Sequence, residues 1–227
     1  MSKFYALDFD RTLGRTSHIA SEFVAYVEGM DGSVGAALGE EQRRIESSGG
    51  SVDMIAVLRA HLGSRALEES VEGFLVEHRK PSYLEEGAAA LLTSITEHGH
   101  RLGIMTYGSE YWQLVKLRAT LLDSYKRMIL ANKGIKGATI ASWYDTTQHN
   151  YKLPEAFGGG TVDEVILVDD KGIEFRSLPN LPSAHGYLFT GGIQPEIETS
   201  PQMVVGDIPG NVTVVDSLHD IARNEGF

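Results

Sequence analysis

The chain has 227 residues and no cysteine, with 31 acidic against 20 basic residues and a formal net charge of -11. The missing thiols exclude disulfides, thiolate catalysis and zinc–sulfur sites, and the acidity opposes binding to a nucleic-acid backbone. With 42% hydrophobic and 22% charged residues, the composition is that of an ordinary globular protein, and a chain this long buries roughly 70–75% of its unfolded surface without staples.

The opening residues MSKFYALDFD reach two aspartates too early for a secretory leader. No apolar run approaches the ~18–20 residues of a membrane span. The expectation is a soluble, cytoplasmic protein with neither a membrane nor a nucleic acid as partner. An anionic substrate would require fixed local cations, either a metal or individual Lys and Arg side chains.

The first element is FYAL at Phe4–Leu7, almost continuously apolar, as a buried parallel strand should be. From about Ile19 to His78 the pattern changes. Ile19, Phe23 and Val27, then Ile55, Leu58 and Leu62, then Val71 and Leu75 recur at helical spacing. Glycine-containing joints at Gly29–Gly32 and Ser47–Ser51 interrupt them. This stretch reads as a small helical insert, with Pro81 at the return to the sheet. A helix over Tyr83–His98 follows, burying Leu84, Ala88, Leu91, Leu92 and Ile95. Three more strands are read at Arg101–Thr106, Glu164–Val168 and Asn211–Val215, with weaker candidates at Met128–Ala131 and Gly186–Phe189. The glycine triplet Gly158–Gly160 lacks the GK[ST] continuation of a phosphate loop and reads as a turn.

Each of the first three strong strands ends abruptly in polar residues: DFDRT, TYGS and DDKG. Ligands of open α/β sheets bind at such carboxyl ends. Asp8 and Asp10 lie two apart along an extended strand and share a face, or converge on one centre if the chain curls after Asp8. Paired carboxylates repel one another unless a cation compensates, and hard oxygen ligands suit Mg²⁺. An Asp-rich turn with Thr12 capping a helix is the bland alternative. Asp169 and Asp170 taken alone fit a helix cap equally well. As a second acidic strand end in the same sheet, however, they add an electrostatic penalty that again calls for a metal. Thr106 offers a hydroxyl before a glycine-containing turn, a neutral cradle for an anion. Lys152, 17 residues before Asp169, offers a positive charge, with Lys133 in ANKGIK as its competitor.

Taken in order, strand-Asp-x-Asp-x-Thr, strand-Thr, Lys and strand-Asp-Asp resemble the haloacid dehalogenase-like hydrolase superfamily. The resemblance implies an α/β fold: a Rossmann-like parallel-sheet core at 1–14 and 82–227, with a helical cap inserted at 15–81. Asp8 would correspond to the nucleophile that forms an aspartyl-phosphate, and Asp10 to the general acid/base. Thr106 would bind phosphoryl oxygens, and Lys152 would steady nucleophile and phosphate. Asp8, Asp169 and Asp170, with the Asp10 backbone carbonyl, would hold Mg²⁺. Arg11 stands where glycine is usual, and Tyr107 where asparagine is frequent.

The function so implied is magnesium-dependent hydrolysis of a small phosphorylated metabolite. A phosphomutase or other phosphotransferase differs only in the acceptor. A non-catalytic receiver-like module would carry its acidic pair at the first strand, whereas here Asp169–Asp170 comes late. The sequence leaves substrate and oligomeric state open.

Overall fold

The computed structural model describes residues 1–46, 54–191 and 209–227; the Ser47–Ser51 joint lies outside these. Among the described residues no helix is long and apolar enough to cross a membrane. The chain divides into two compact units.

The first unit comprises Met1–Arg15, Leu84–Gly108 and Ser124–Phe227. The second comprises Thr16–Tyr83 together with Ser109–Asp123.

In chain order the elements are β1 (Lys3–Leu7), α1 (Thr16–Met30), α2 (Val34–Glu46), α3 (Met54–Leu62), α4 (Ser64–His78), α5 (Ala88–Glu97), β2 (Arg101–Tyr107), α6 (Glu110–Ala119), β3 (Arg127–Leu130), α7 (Lys136–Ala141), β4 (Tyr144–Asp145), β5 (Asn150–Lys152), β6 (Thr161–Val162), β7 (Glu164–Asp169), β8 (Ala184–Phe189), β9 (Val212–Val215) and α8 (Leu218–Glu225). The six longer strands form one sheet in the order β3-β2-β1-β7-β8-β9, every neighbouring pair parallel. All six strands read from sequence are therefore present. Continuous hydrophobicity marks the middle of the sheet. Phe4–Leu7 and Val165–Val168 are fully buried in β1 and β7, whereas the edge strands β3 and β9 are only partly covered.

The chain departs from the sequence reading in two places. The helix expected over Tyr83–His98 begins only at Ala88, after a 3-10 turn at Pro81–Tyr83. Gly87, in the left-handed region at φ 83°, precedes the first helical residue and sets that start. The segment between β3 and β7 also folds β4, β5 and β6 into a small antiparallel sheet, too short to show a periodic signal.

In the helical unit, α1 buries Ile19, Phe23 and Val27, and α4 buries Leu67, Ser70, Val71, Phe74 and Leu75. Phe23 packs edge-on against Phe74 at 5.1 Å and lies tilted by 33° against Trp112 of α6 at 5.3 Å. Arg118 of α6 also grips Glu72 with two parallel hydrogen bonds of 2.6 and 2.8 Å. The aromatic contact and the fork explain why Ser109–Asp123 groups with a unit otherwise confined to Thr16–Tyr83.

At the amino ends of the central strands, the Glu225 carboxylate of α8 gathers four donors: Lys3 Nζ at 2.6 Å, Tyr5 OH at 2.7 Å, Tyr187 OH at 2.7 Å and His185 Nε2 at 3.0 Å. The other ring nitrogen of His185 meets Glu164 at 3.0 Å. Burial alone would lower the His185 pKa, but the two glutamates raise it to about 9. Burial opposes ionisation of Glu225, yet its donors hold it well below the usual carboxylate range. A raised imidazolium contributes stability that is complete below its unfolded pKa and lost as pH rises through its folded one. Thermal stability should therefore decline between pH 6.5 and about 9 from this source. Glu225→Gln should cost about 2–4 kcal/mol at pH 6 and flatten that decline. Thermal melts from pH 6 to 9.5 check this, and an unchanged slope in the variant would count against it.

Candidate active site

β1 sits between β2 and β7, with Leu7 abreast of Ile104 on one side and Val168 on the other. The pairing continues one residue further, where the Asp8 N–H donates to the Val168 carbonyl at 2.8 Å. Three strand ends thus deliver Asp8, Thr106 and Asp169–Asp170 to one rim. Asp8, Asp169 and Asp170 each offer a carboxylate oxygen, and these lie within 4.8 Å of one another.

After Asp8 the chain curls tightly. The Leu13 and Gly14 N–H groups both donate to the Phe9 carbonyl, at 3.1 and 2.9 Å, and the Arg11 N–H donates to the Gly14 carbonyl at 2.9 Å. Arg11 takes φ 65° in this curl, in the left-handed region where a side chain costs strain. Glycine would take that conformation without the strain. The curl returns Thr12 to the nucleophile candidate, its hydroxyl donating to Asp8 Oδ2 at 3.1 Å. Asp10 is half buried. Its carboxylate stands outside the group of three acids, and its charge nevertheless helps raise the Asp8 pKa.

The cation between these acids is Lys136, which the sequence reading missed. It is 1% exposed, and its ammonium donates to Asp8 Oδ1 and, at 2.6 Å, to Asp169 Oδ2. Burial alone would lower its pKa, but Asp169 and Asp8 outweigh burial and raise it, so it is charged at any physiological pH.

Lys152 does not reach the site. It lies on β5, where alternation turns Tyr151 into the core and Lys152 outward. Its side chain is 67% exposed and pairs with Asp145 at 2.7 Å. Lys133 is exposed as well. The usable signal was the weaker strand at Met128–Ala131: its carboxyl end opens onto the same rim, and the loop that follows leads into Lys136.

Two features hold Lys136 in place. The buried Glu174 carboxylate accepts from the backbone N–H groups of Gly134 at 2.7 Å and Lys136 at 3.1 Å, securing the start of α7. At Gly137 an added Cβ would meet the Leu178 nitrogen at 2.6 Å and the Glu174 carbonyl oxygen at 2.8 Å. Only glycine permits that approach.

The remaining acid, Asp170, is buried, and both of its carboxylate oxygens lack a hydrogen bond. The Arg11 guanidinium comes to 2.9 Å of it without an N–H aimed at the oxygen, and the Lys171 ammonium lies at 3.9 Å. Desolvation, followed by the charges of Asp8 and Asp169, raises Asp170 to about 8. Desolvation likewise dominates at Asp8, which rises to about 6 despite Lys136. The Thr106 hydroxyl is fully buried and also has no hydrogen-bond partner. Buried polar atoms without partners are uncommon in proteins and demand an explanation. A hard divalent cation and an anion beside it would satisfy both, so the donor set fits Mg²⁺.

No protein-family model and no curated protein matches the chain. Solved structures do. The chain is similar over 99% of its length to a protein described as a haloacid dehalogenase-like hydrolase from Burkholderia xenovorans LB400, covering 97% of it at 16% identity and TM-score 0.58. A HAD hydrolase from Bacillus subtilis bound to magnesium matches over 100% of this chain and 99% of its own, at 14% identity and TM-score 0.56. L-2-haloacid dehalogenase from Xanthobacter autotrophicus matches over 100% and 99%, at 15% identity and TM-score 0.50. The likeness runs end to end. This chain therefore has the fold of the haloacid dehalogenase-like hydrolases.

Proposed function

We propose that this chain is a magnesium-dependent phosphohydrolase acting on a small phosphate monoester through an aspartyl-phosphate at Asp8. The observation that carries the reading is the buried Lys136 ammonium between Asp8 and Asp169, beside an acid and a hydroxyl whose polar atoms lack hydrogen bonds. An anionic nucleophile approaches an anionic ester only where positive charge is fixed beforehand. Lys136 supplies one such charge, and Thr106 can donate its hydroxyl hydrogen to a phosphoryl oxygen. Asp8, Asp169 and Asp170 would hold Mg²⁺, which supplies the further positive charge needed to join carboxylate and phosphate. The helical insert at 15–81 is read as the cap that the resemblance implies.

In the first step an Asp8 oxygen forms a bond to phosphorus while the ester P–O bond breaks, and Asp10 gives its proton to the departing alkoxide. In the second step Asp10 takes a proton from water as that water attacks phosphorus. The Asp8–phosphorus bond breaks, releasing inorganic phosphate and restoring both carboxyl groups. Asp10 is what separates this reading from dehalogenation, because a departing halide needs no proton.

Asp8→Asn should abolish phosphate release from p-nitrophenyl phosphate, and Asp10→Asn should slow it by about 100-fold or more; near wild-type turnover in either would overturn its assignment. Lys136→Met should lower kcat by at least about 100-fold, whereas Lys152→Met should stay within about twofold of wild type, since its side chain is 67% exposed. The reverse ranking would restore Lys152.

The metal reading can be checked without turnover. Because the folded pKa of Asp170 is raised from 3.8 to about 8, its protonated form favours the native state, and that stability is lost progressively as pH climbs between these two values. In EDTA, Asp170→Asn should therefore raise the melting temperature more at pH 8.5 than at pH 5. In the wild type, Mg²⁺ should raise the melting temperature more at pH 8.5 than at pH 5. Equal Mg²⁺ effects at the two pH values would remove the support from the three acids.

A further inference from the structure

The four acids and three bases at this rim are not evenly paired. Lys136 serves Asp8 and Asp169. Asp170, whose side chain is 0% exposed, is left to two looser contacts, the Lys171 ammonium at 3.9 Å and the Arg11 guanidinium, which reaches it at 2.9 Å from a side chain 28% exposed without forming an aligned hydrogen bond. Arg11 does this from φ 65°, a conformation glycine adopts freely and arginine does not. A strained, partly exposed arginine thus covers a buried acid that a metal would also claim.

We propose that Arg11 is a built-in counter-cation for Asp170: the guanidinium and a divalent cation compete for the same carboxylate, so metal binding requires Arg11 to withdraw. The proposal rests on the metal reading above and adds to it a residue that sets how tightly the metal is held. Like charges a few ångströms apart repel strongly in a partly desolvated site, and a close but misaligned ion pair yields more readily than a bidentate one. The contact therefore covers Asp170 in the metal-free protein and is weak enough to give way.

Calorimetric titration of Mg²⁺ into the wild type and the Arg11→Gly, Arg11→Gln and Arg11→Lys variants tests this at fixed ionic strength. Arg11→Gly fits the left-handed backbone and guards against a folding defect, and Arg11→Lys keeps the charge. The expected result is Mg²⁺ affinity about tenfold tighter in the glycine and glutamine variants, with lysine between them and the wild type. Equal or weaker binding in both neutral variants, with the wild type binding normally, would overturn the role of Arg11 and leave the phosphohydrolase reading standing. If neither the wild type nor any variant took up Mg²⁺, the metal reading would fail and the competition with it.

Discussion

The chemistry of this rim depends on one buried ammonium. Three carboxylates whose oxygens lie within 4.8 Å cannot all stay ionised in a desolvated pocket without compensation, and Lys136 is the compensation built into the chain. Its position is set indirectly. Glu174 secures the first turn of α7 through two backbone N–H groups, and the bare Cα of Gly137 lets that turn lie against the backbone at Glu174 and Leu178. The residues around 172–178 thus place a side chain that acts on Asp8, more than 120 positions earlier in sequence.

The two ends of the central strands have opposite electrostatic characters. At the carboxyl ends, Asp8 and Asp170 are raised by desolvation and by the charges of neighbouring acids. At the amino ends, Glu225 is lowered because four donors converge on it. One end is satisfied within the protein, and the other keeps buried oxygens without hydrogen bonds. Structural polar clusters tend to the first condition and ligand sites to the second.

The central strands were legible in the sequence because burial on both faces leaves Phe4–Leu7 and Val165–Val168 without a charged residue. Asp8, Thr106, Asp169 and Asp170 were legible because each ends such a run. The core lysine was not, since lysines are common at surfaces and its assignment turned on a four-residue edge strand and a six-residue helix. The two-residue strands β4 and β6 are too short for any period to emerge, which also hid the outward direction of Lys152. The grouping of Ser109–Asp123 with the helical unit rests on Trp112 and Arg118 meeting partners about 90 and 46 positions away, which no local pattern encodes.

The order of the strands has a consequence for how the protein is made. β1 emerges first from the ribosome, yet it pairs with residues 101–104 on one side and 164–168 on the other. Until β7 is synthesised, this highly apolar segment and its acidic end lack one neighbour, and closing so long a loop is slow. β1 must therefore wait until residues 164–168 are made before both its edges are paired, and during that interval its apolar side chains are open to aggregation or chaperone capture.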